Sequence, residues 1–146
     1  MPTHAEKRTL PFTPEQMFDL VAAVDRYPEF LPWCVNARIT RREGNIIDAD
    51  LIIGFRMVRE KFTSRVTLDR PRCVDVAYLQ GPLKYLNNHW LFLANDDGGC
   101  TIDFFVDFEF RNRLFEKLIG ALFNEAVRRM VSAFETRAHD LYEPIR

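Results

Sequence analysis

From Val35 to Phe110 apolar and polar side chains change places every second residue, and from Leu114 onward the apolar period lengthens to that of a helix. Only extended strands followed by a helix gather such residues onto one face each. Val35, Ala37 and Ile39 alternate with polar neighbours, and Glu43-Gly44-Asn45 turns the chain into Ile47, Ala49, Leu51, Ile53 and Phe55. Phe62, Ser64, Val66 and Leu68 precede the Asp69-Arg70-Pro71-Arg72 turn, with Val74, Val76 and Tyr78 beyond it. Trp90, Phe92 and Ala94, the turn Asn95-Asp96-Asp97-Gly98-Gly99, and Ile102, Phe104, Val106, Phe108 and Phe110 complete an antiparallel meander. The stripe that follows includes Leu118, Leu122, Met130 and Phe134. It predicts one helix capped by Asn112 and ending near Tyr142, about 44 Å long at ~1.5 Å per residue.

Ahead of the meander, His4 to Leu10 reads as an edge strand. Thr13-Pro14-Glu15-Gln16 then reads as a capping box with proline at the first helical position. Met17, Phe18, Leu20, Val21 and Val24 recur at helical spacing behind it. The predicted class is α+β: a curved antiparallel sheet of about six to seven strands wrapped around a long C-terminal helix, with short N-terminal helices. A chain of 146 residues fits one domain, 1–146.

A sheet that curls around a helix encloses space that side chains, water or a ligand must occupy. The inward positions carry Phe55, Phe62, Tyr78, Trp90, Phe92, Phe104 and Phe108, faced by Leu118, Leu122 and Met130 of the helix. These residues either fill a core or line an apolar cavity. Two connections are unusually apolar. Tyr27-Pro28-Glu29-Phe30-Leu31-Pro32-Trp33-Cys34 is stiffened by its two prolines. Gln80 to His89 reads as a ten-residue connection, either a lid or a packed loop. Tyr27, Phe30, Leu31 and Trp33 from the first, with Leu83, Tyr85, Leu86 and His89 from the second, are the candidate cavity mouth.

The formal net charge is −1, which argues against a surface dedicated to nucleic acid. Arg59, Lys61 and Arg65 form one outward row, but Asp48 and Asp50 project beside them. Cys34, Cys73 and Cys100 form no C-x-x-C pair, and no run approaches the length of a membrane span. The expectation is a cytoplasmic monomer. Asp103, Asp107 and Glu109 alternate with inward phenylalanines and so face outward. No catalytic triad, metal-ligand spacing or phosphate loop is present. Neither a catalytic residue nor a metal site is assigned.

Tyr-Pro-x-Phe-Leu-Pro-Trp-Cys at 27–34, Gly-Pro-Leu-Lys-Tyr-Leu at 81–86 followed by Trp90-x-Phe92, and Met130-Val131-x-Ala133-Phe134-Glu135-x-Arg137-Ala138 carry a resemblance. In that order the motifs resemble the coenzyme Q-binding (Coq10-type) branch of the START-like and polyketide-cyclase superfamily, which includes ribosome-associated toxins. The resemblance implies a helix-grip domain that binds ubiquinone or a similar polyprenyl lipid as its ligand, needs no cofactor and supports respiratory electron transport without catalysis. Tyr78, Asn88 and His89 are candidate donors to a quinone, while Trp33, Lys84 and Tyr85 are candidates for peripheral contact with the inner face of the cell membrane. The alternatives are a toxin that blocks association of ribosomal subunits and a cyclase or aromatase.

Overall fold

The computed structural model describes residues 3–55 and 58–145. Seven antiparallel strands form one sheet: β1 (Thr3–Leu10), β2 (Cys34–Glu43), β3 (Ile46–Phe55), β4 (Val58–Asp69), β5 (Cys73–Gln80), β6 (Leu83–Ala94) and β7 (Cys100–Phe110). Their spatial order is β1-β7-β6-β5-β4-β3-β2, a meander with the N-terminal strand added to its last edge. Helix α1 (Pro14–Ala22) and a 3-10 turn at Val24–Glu29 separate β1 from β2. Two helices, α2 (Arg113–Arg128) and α3 (Met130–Leu141), close the concave side. This is the expected α+β helix-grip arrangement.

Local chemistry sets the ends of the elements. Thr13 Oγ1 accepts from the Gln16 backbone N–H at 3.1 Å, and the Gln16 side chain accepts from the Thr13 N–H at 3.0 Å, so the capping box starts α1. Asn112 Oδ1 accepts from the Phe115 N–H at 2.9 Å and starts α2. The single C-terminal helix that the stripe predicts is interrupted at Arg129. Backbone bonds from Arg129 to Glu125 (3.1 Å) and from Ala133 to Arg129 (2.9 Å) carry the ladder across the interruption.

Two further expectations are corrected. The ten-residue connection at Gln80–His89 is a two-residue turn, Gly81-Pro82, followed by strand. Gly81 has φ +150, and a Cβ there would stand 2.9 Å from the Tyr78 hydroxyl and 3.0 Å from the Lys61 carbonyl, so glycine makes the tight turn possible. The β6–β7 register shifts between Leu83 and Tyr85, which brings Leu83 and Leu86, three positions apart, to the buried side. A similar shift between Cys34 and Asn36 buries Cys34 and leaves Val35 exposed, against the simple alternation.

The core runs the length of the concave face. Phe134 of α3 is fully buried beneath Trp90, with ring centroids 5.0 Å apart, and also meets Tyr27 and Phe30 at 5.3 and 5.0 Å. Aromatic edges and faces in such pairs attract beyond simple area burial. Arg8 of β1 donates to Ser132 Oγ at 2.8 Å and Glu135 at 2.9 Å, tying the edge strand to α3. Arg70 grips Asp19 of α1 with two bonds, 2.8 and 3.0 Å.

Candidate functional site

An apolar cavity of about 110 Å³ lies between the concave sheet and the helices. Strand alternation builds its floor: Leu51 and Ile53 of β3, Phe62 and Val66 of β4, Val74 of β5, and Phe104 and Val106 of β7 all turn inward. Phe123, Ala126, Val127, Met130 and Phe134 form the roof, so the helix interruption at Arg129 lies over the cavity. Ser64, Asn88 and Tyr27 are the polar residues in the wall.

Each of these three is fixed differently. Ser64 is buried on β4. Asn88 donates to the Phe105 carbonyl at 2.9 Å and accepts from Trp90 Nε1 at 3.2 Å, which sets the orientation of its amide. Tyr27 donates to the Val21 carbonyl, and burial pushes its phenol well above the ordinary value. Among the described residues, those lining the cavity include no carboxylate, histidine, lysine or arginine.

Of the residues expected to line a cavity, Phe55, Phe62, Trp90, Phe104 and Met130 do so. Others serve packing. Tyr78 lies edge-on to Phe62 at 4.9 Å, and its hydroxyl accepts from the Leu83 N–H at 2.9 Å, holding the Gly81-Pro82 turn. Phe92 is buried between Trp90 and Phe18, and Phe108 is buried against Phe110 and Phe123. Leu118 is exposed, because the buried face of α2 is that of Ile119, Gly120, Phe123 and Val127. Leu122 lies outside the cavity in a surface groove.

The expected mouth also divides. Tyr27, Trp33 and Leu86 line the cavity. Phe30 covers Phe134 from the turn, and Leu31 lines the surface groove. Leu83 is buried in the sheet. Tyr85 and His89 fall on the outer side of β6, where His89 stacks on Phe105 and pairs with Asp75. The second flank expected for the mouth is therefore part of the sheet wall. Phase counting missed the reversal because the register shift is invisible in the apolar pattern.

The surface groove has a volume of about 720 Å³ and runs between Leu31-Pro32-Trp33 and the outer side of the helices, past Leu122, Arg129, Ala133 and Thr136. Trp33, Phe55 and Ala126 belong to both linings. These three side chains form the boundary between inner cavity and outer groove.

The outer sheet face has a different character. Arg65 holds Asp48 with bonds of 2.8 and 3.1 Å, and its guanidinium keeps the Asp48 carboxyl below the ordinary carboxylate range. Arg38 approaches Asp50 at 3.8 Å. Asp103, Asp107 and Glu109 alternate with buried β7 residues as expected. Among the described residues no cluster of three or more His, Cys, Asp or Glu side chains has the arrangement of a metal site, and no helix is long and apolar enough to cross a membrane.

Comparison with known proteins places this geometry. The ribosome association toxin RatA of Rickettsia prowazekii is 35% identical over 92% of this chain and 94% of its own. The mitochondrial coenzyme Q-binding protein COQ10 homolog B of Xenopus laevis is 34% identical over 95% of this chain and 59% of its own. A START superfamily protein from Mycobacterium smegmatis, 14% identical, shares the fold with a TM-score of 0.80 over 96% of this chain and 99% of its own. The family model described as polyketide cyclase / dehydrase and lipid transport matches residues 10–135. With that match spanning strand, grip and cavity alike, the chain belongs to the polyketide cyclase / dehydrase and lipid transport family.

Proposed function

We propose that this chain is a non-catalytic carrier of a polyprenyl quinone such as ubiquinone, acting as a monomeric domain in support of respiratory electron transport. The observation that carries the reading is the composition of the cavity wall: among the described residues it is apolar except for Ser64, Asn88 and Tyr27, and it holds no carboxylate, histidine, lysine or arginine. A quinone ring needs apolar faces and a donor for each carbonyl. Ser64 and Asn88 are suited to that role. A relative whose name states coenzyme Q binding, 34% identical, supports the same ligand class.

At about 110 Å³ the cavity falls below the ~300–1,000 Å³ usual for a site that swallows a whole small molecule. It suits a headgroup, with the tail crossing the Trp33, Phe55 and Ala126 boundary into the groove. Each tail CH₂ gains about 0.8 kcal/mol by leaving water. A bilayer offers a similar gain, so transfer between protein and membrane is close to balanced.

Association with the ribosome is the second reading, favoured by the 35% identity to a protein named for it. One experiment separates the two. The protein is purified from its own host, its organic extract is identified by mass spectrometry, and the same lysate is resolved on a sucrose gradient. A co-purifying long-tailed quinone supports the carrier. Comigration with ribosomal subunits and an extract free of lipid overturns it.

A further inference from the structure

Helix α2 is apolar on two sides. One side, Ile119, Gly120, Phe123 and Val127, is buried against the sheet. On the opposite side Leu114 is 66% exposed and Leu118, one turn later, 54% exposed, the two most exposed large apolar side chains among the described residues. At ~100° per residue, Leu114, Leu118 and the exposed Ala121 fall within about 60° of one another. Neither leucine belongs to the buried core.

Basic side chains outnumber acidic ones around this strip. Residues 111–129 contain five basic side chains (Arg111, Arg113, Lys117, Arg128, Arg129) and two acidic ones (Glu116, Glu125), a net +3 in a chain whose total is −1, so the remainder carries −4. Glu125 is paired with Arg129, and Arg111 lies over Phe115 and donates to the Gly81 carbonyl. Arg113, Lys117 and Arg128 take part in none of the ion pairs among the described residues. On the helical wheel they stand beside the leucine strip on the flank away from Arg129.

We propose that the outer face of α2, Leu114 and Leu118 flanked by Arg113, Lys117 and Arg128, docks on the surface of an anionic lipid bilayer. A helix lying in the interface buries leucines among acyl chains and sets cations at the level of the headgroup phosphates, and binding scales with both terms. A helix of this composition meets that requirement with the face the fold leaves uncovered. The same helix runs on through Leu122 and Ala126 into the groove beside Trp33. Docking therefore delivers the groove to the membrane. The inference goes beyond the carrier reading, since docking requires no bound ligand. It also adds a membrane contact on a different element from Lys84 and Tyr85 of β6.

The test is co-sedimentation of the full chain with vesicles of equal parts phosphatidylcholine and phosphatidylglycerol, and with vesicles of phosphatidylcholine alone. The expected results are binding to the anionic vesicles that weakens with added salt, and at least a tenfold lower partition for Leu114→Ser/Leu118→Ser and for Lys117→Glu/Arg128→Glu. All four positions are exposed, so thermal unfolding should match the parent and certify the fold. Undiminished binding by both double variants overturns the proposal. So does equal binding of the parent to both vesicle types, or a leucine-dependent dimer in sedimentation with no vesicle binding, which would make this face a contact between copies. Lipid retained from the host is measured in parallel: its absence with intact docking counts against the carrier reading alone.

Discussion

The guanidinium carbon of Arg137 lies 5.1 Å from the centroid of the Phe30 ring, while the same side chain pairs with Glu29 next to that phenylalanine. Arg137 belongs to α3 and Phe30 follows the 3-10 turn, so one cation fastens the aromatic segment Tyr27–Phe30 over Phe134 and the cavity roof. Arg137 is only 18% exposed, which limits screening by water. Cation–π contacts of this kind contribute about 0.5–1 kcal/mol where partly exposed. Arg137→Met keeps the apolar stem and removes the charge. Urea denaturation should then show a loss on the order of 1 kcal/mol, and bound lipid should leave faster; an unchanged release rate would mean that the segment does not gate the cavity.

Acid should act at the same place. Hydrogen bonds from Arg26 and Arg137 hold the Glu29 carboxyl below its ordinary value of 4.5. A carboxyl depressed in the folded state contributes stability that is fully present above its unfolded value and is lost as pH falls through the folded one. Thermal unfolding followed from pH 7 down to about pH 3 should therefore show a decline below roughly pH 4.5 that is shallower in Glu29→Gln. Parallel curves for parent and variant would show that Glu29 contributes nothing to it.

At the alkaline end the thiols act. Burial pushes Cys34 and Cys100 up to about 11 from 9.0, because the thiolate is the form that an apolar environment disfavours. The raised folded value means that their contribution is complete below pH 9 and disappears as pH climbs toward 11. At pH 8 the native protein should leave both unlabelled by a disulfide reagent, with labelling appearing in step with urea unfolding. Rapid native labelling at Cys34 or Cys100, mapped by peptide mass, would contradict their burial.

A cavity can be tested by filling it. Val66→Phe places a larger side chain on the β4 wall. In a fully packed core such overpacking costs about 1–3 kcal/mol. Where there is room, the ring gains apolar contact instead and the melting temperature should not fall, while co-purified lipid should be lost. Ser64→Ala should reduce retention of a carbonyl-bearing ligand and leave purely hydrocarbon probes unaffected. A steep loss of stability in Val66→Phe would mean that the interior is already occupied by the protein's own side chains.

The sheet, its hairpins, the capping box, the Asn112 cap and the inward phenylalanines were legible because each rests on a short-range rule: alternation of period two, a cap three residues from its partner, a glycine or proline in a turn. Phe104 and Phe62 line the cavity for that reason. Tyr78 and Phe92 obey the same alternation yet stand beyond the cavity, because distance along a strand from the helix roof is set by sheet curvature and leaves no mark on the pattern. Leu118 misled for another reason. A helix with apolar residues on both sides has no single apolar stripe, and the side that meets the sheet is that of Ile119, Gly120, Phe123 and Val127. The conversion of Gln80–His89 from loop to strand depended on a register shift, a property of two strands together.

Trp33 is the residue on which transfer should turn. Its side chain lines both cavity and groove, and its carbonyl accepts from the Gly54 N–H at 2.8 Å, anchoring the backbone beside Phe55. Trp33→Ala keeps that backbone bond and deletes the ring. Removing a fully buried tryptophan costs about 3–5 kcal/mol. Trp33 is partly exposed, so a smaller loss than for a fully buried ring is expected. Destabilisation alone would raise every opening rate, so the comparison needs a variant weakened at least as much elsewhere. Phe108→Ala supplies it, since Phe108 is buried against Phe110 and Phe123 and lines neither space. Transfer of a fluorescent polyprenyl quinone analogue from protein to vesicles should be at least about tenfold faster in Trp33→Ala than in Phe108→Ala, corresponding to ~1.4 kcal/mol off the exit barrier. Equal rates in the two would place the way out somewhere other than the Trp33, Phe55 and Ala126 boundary.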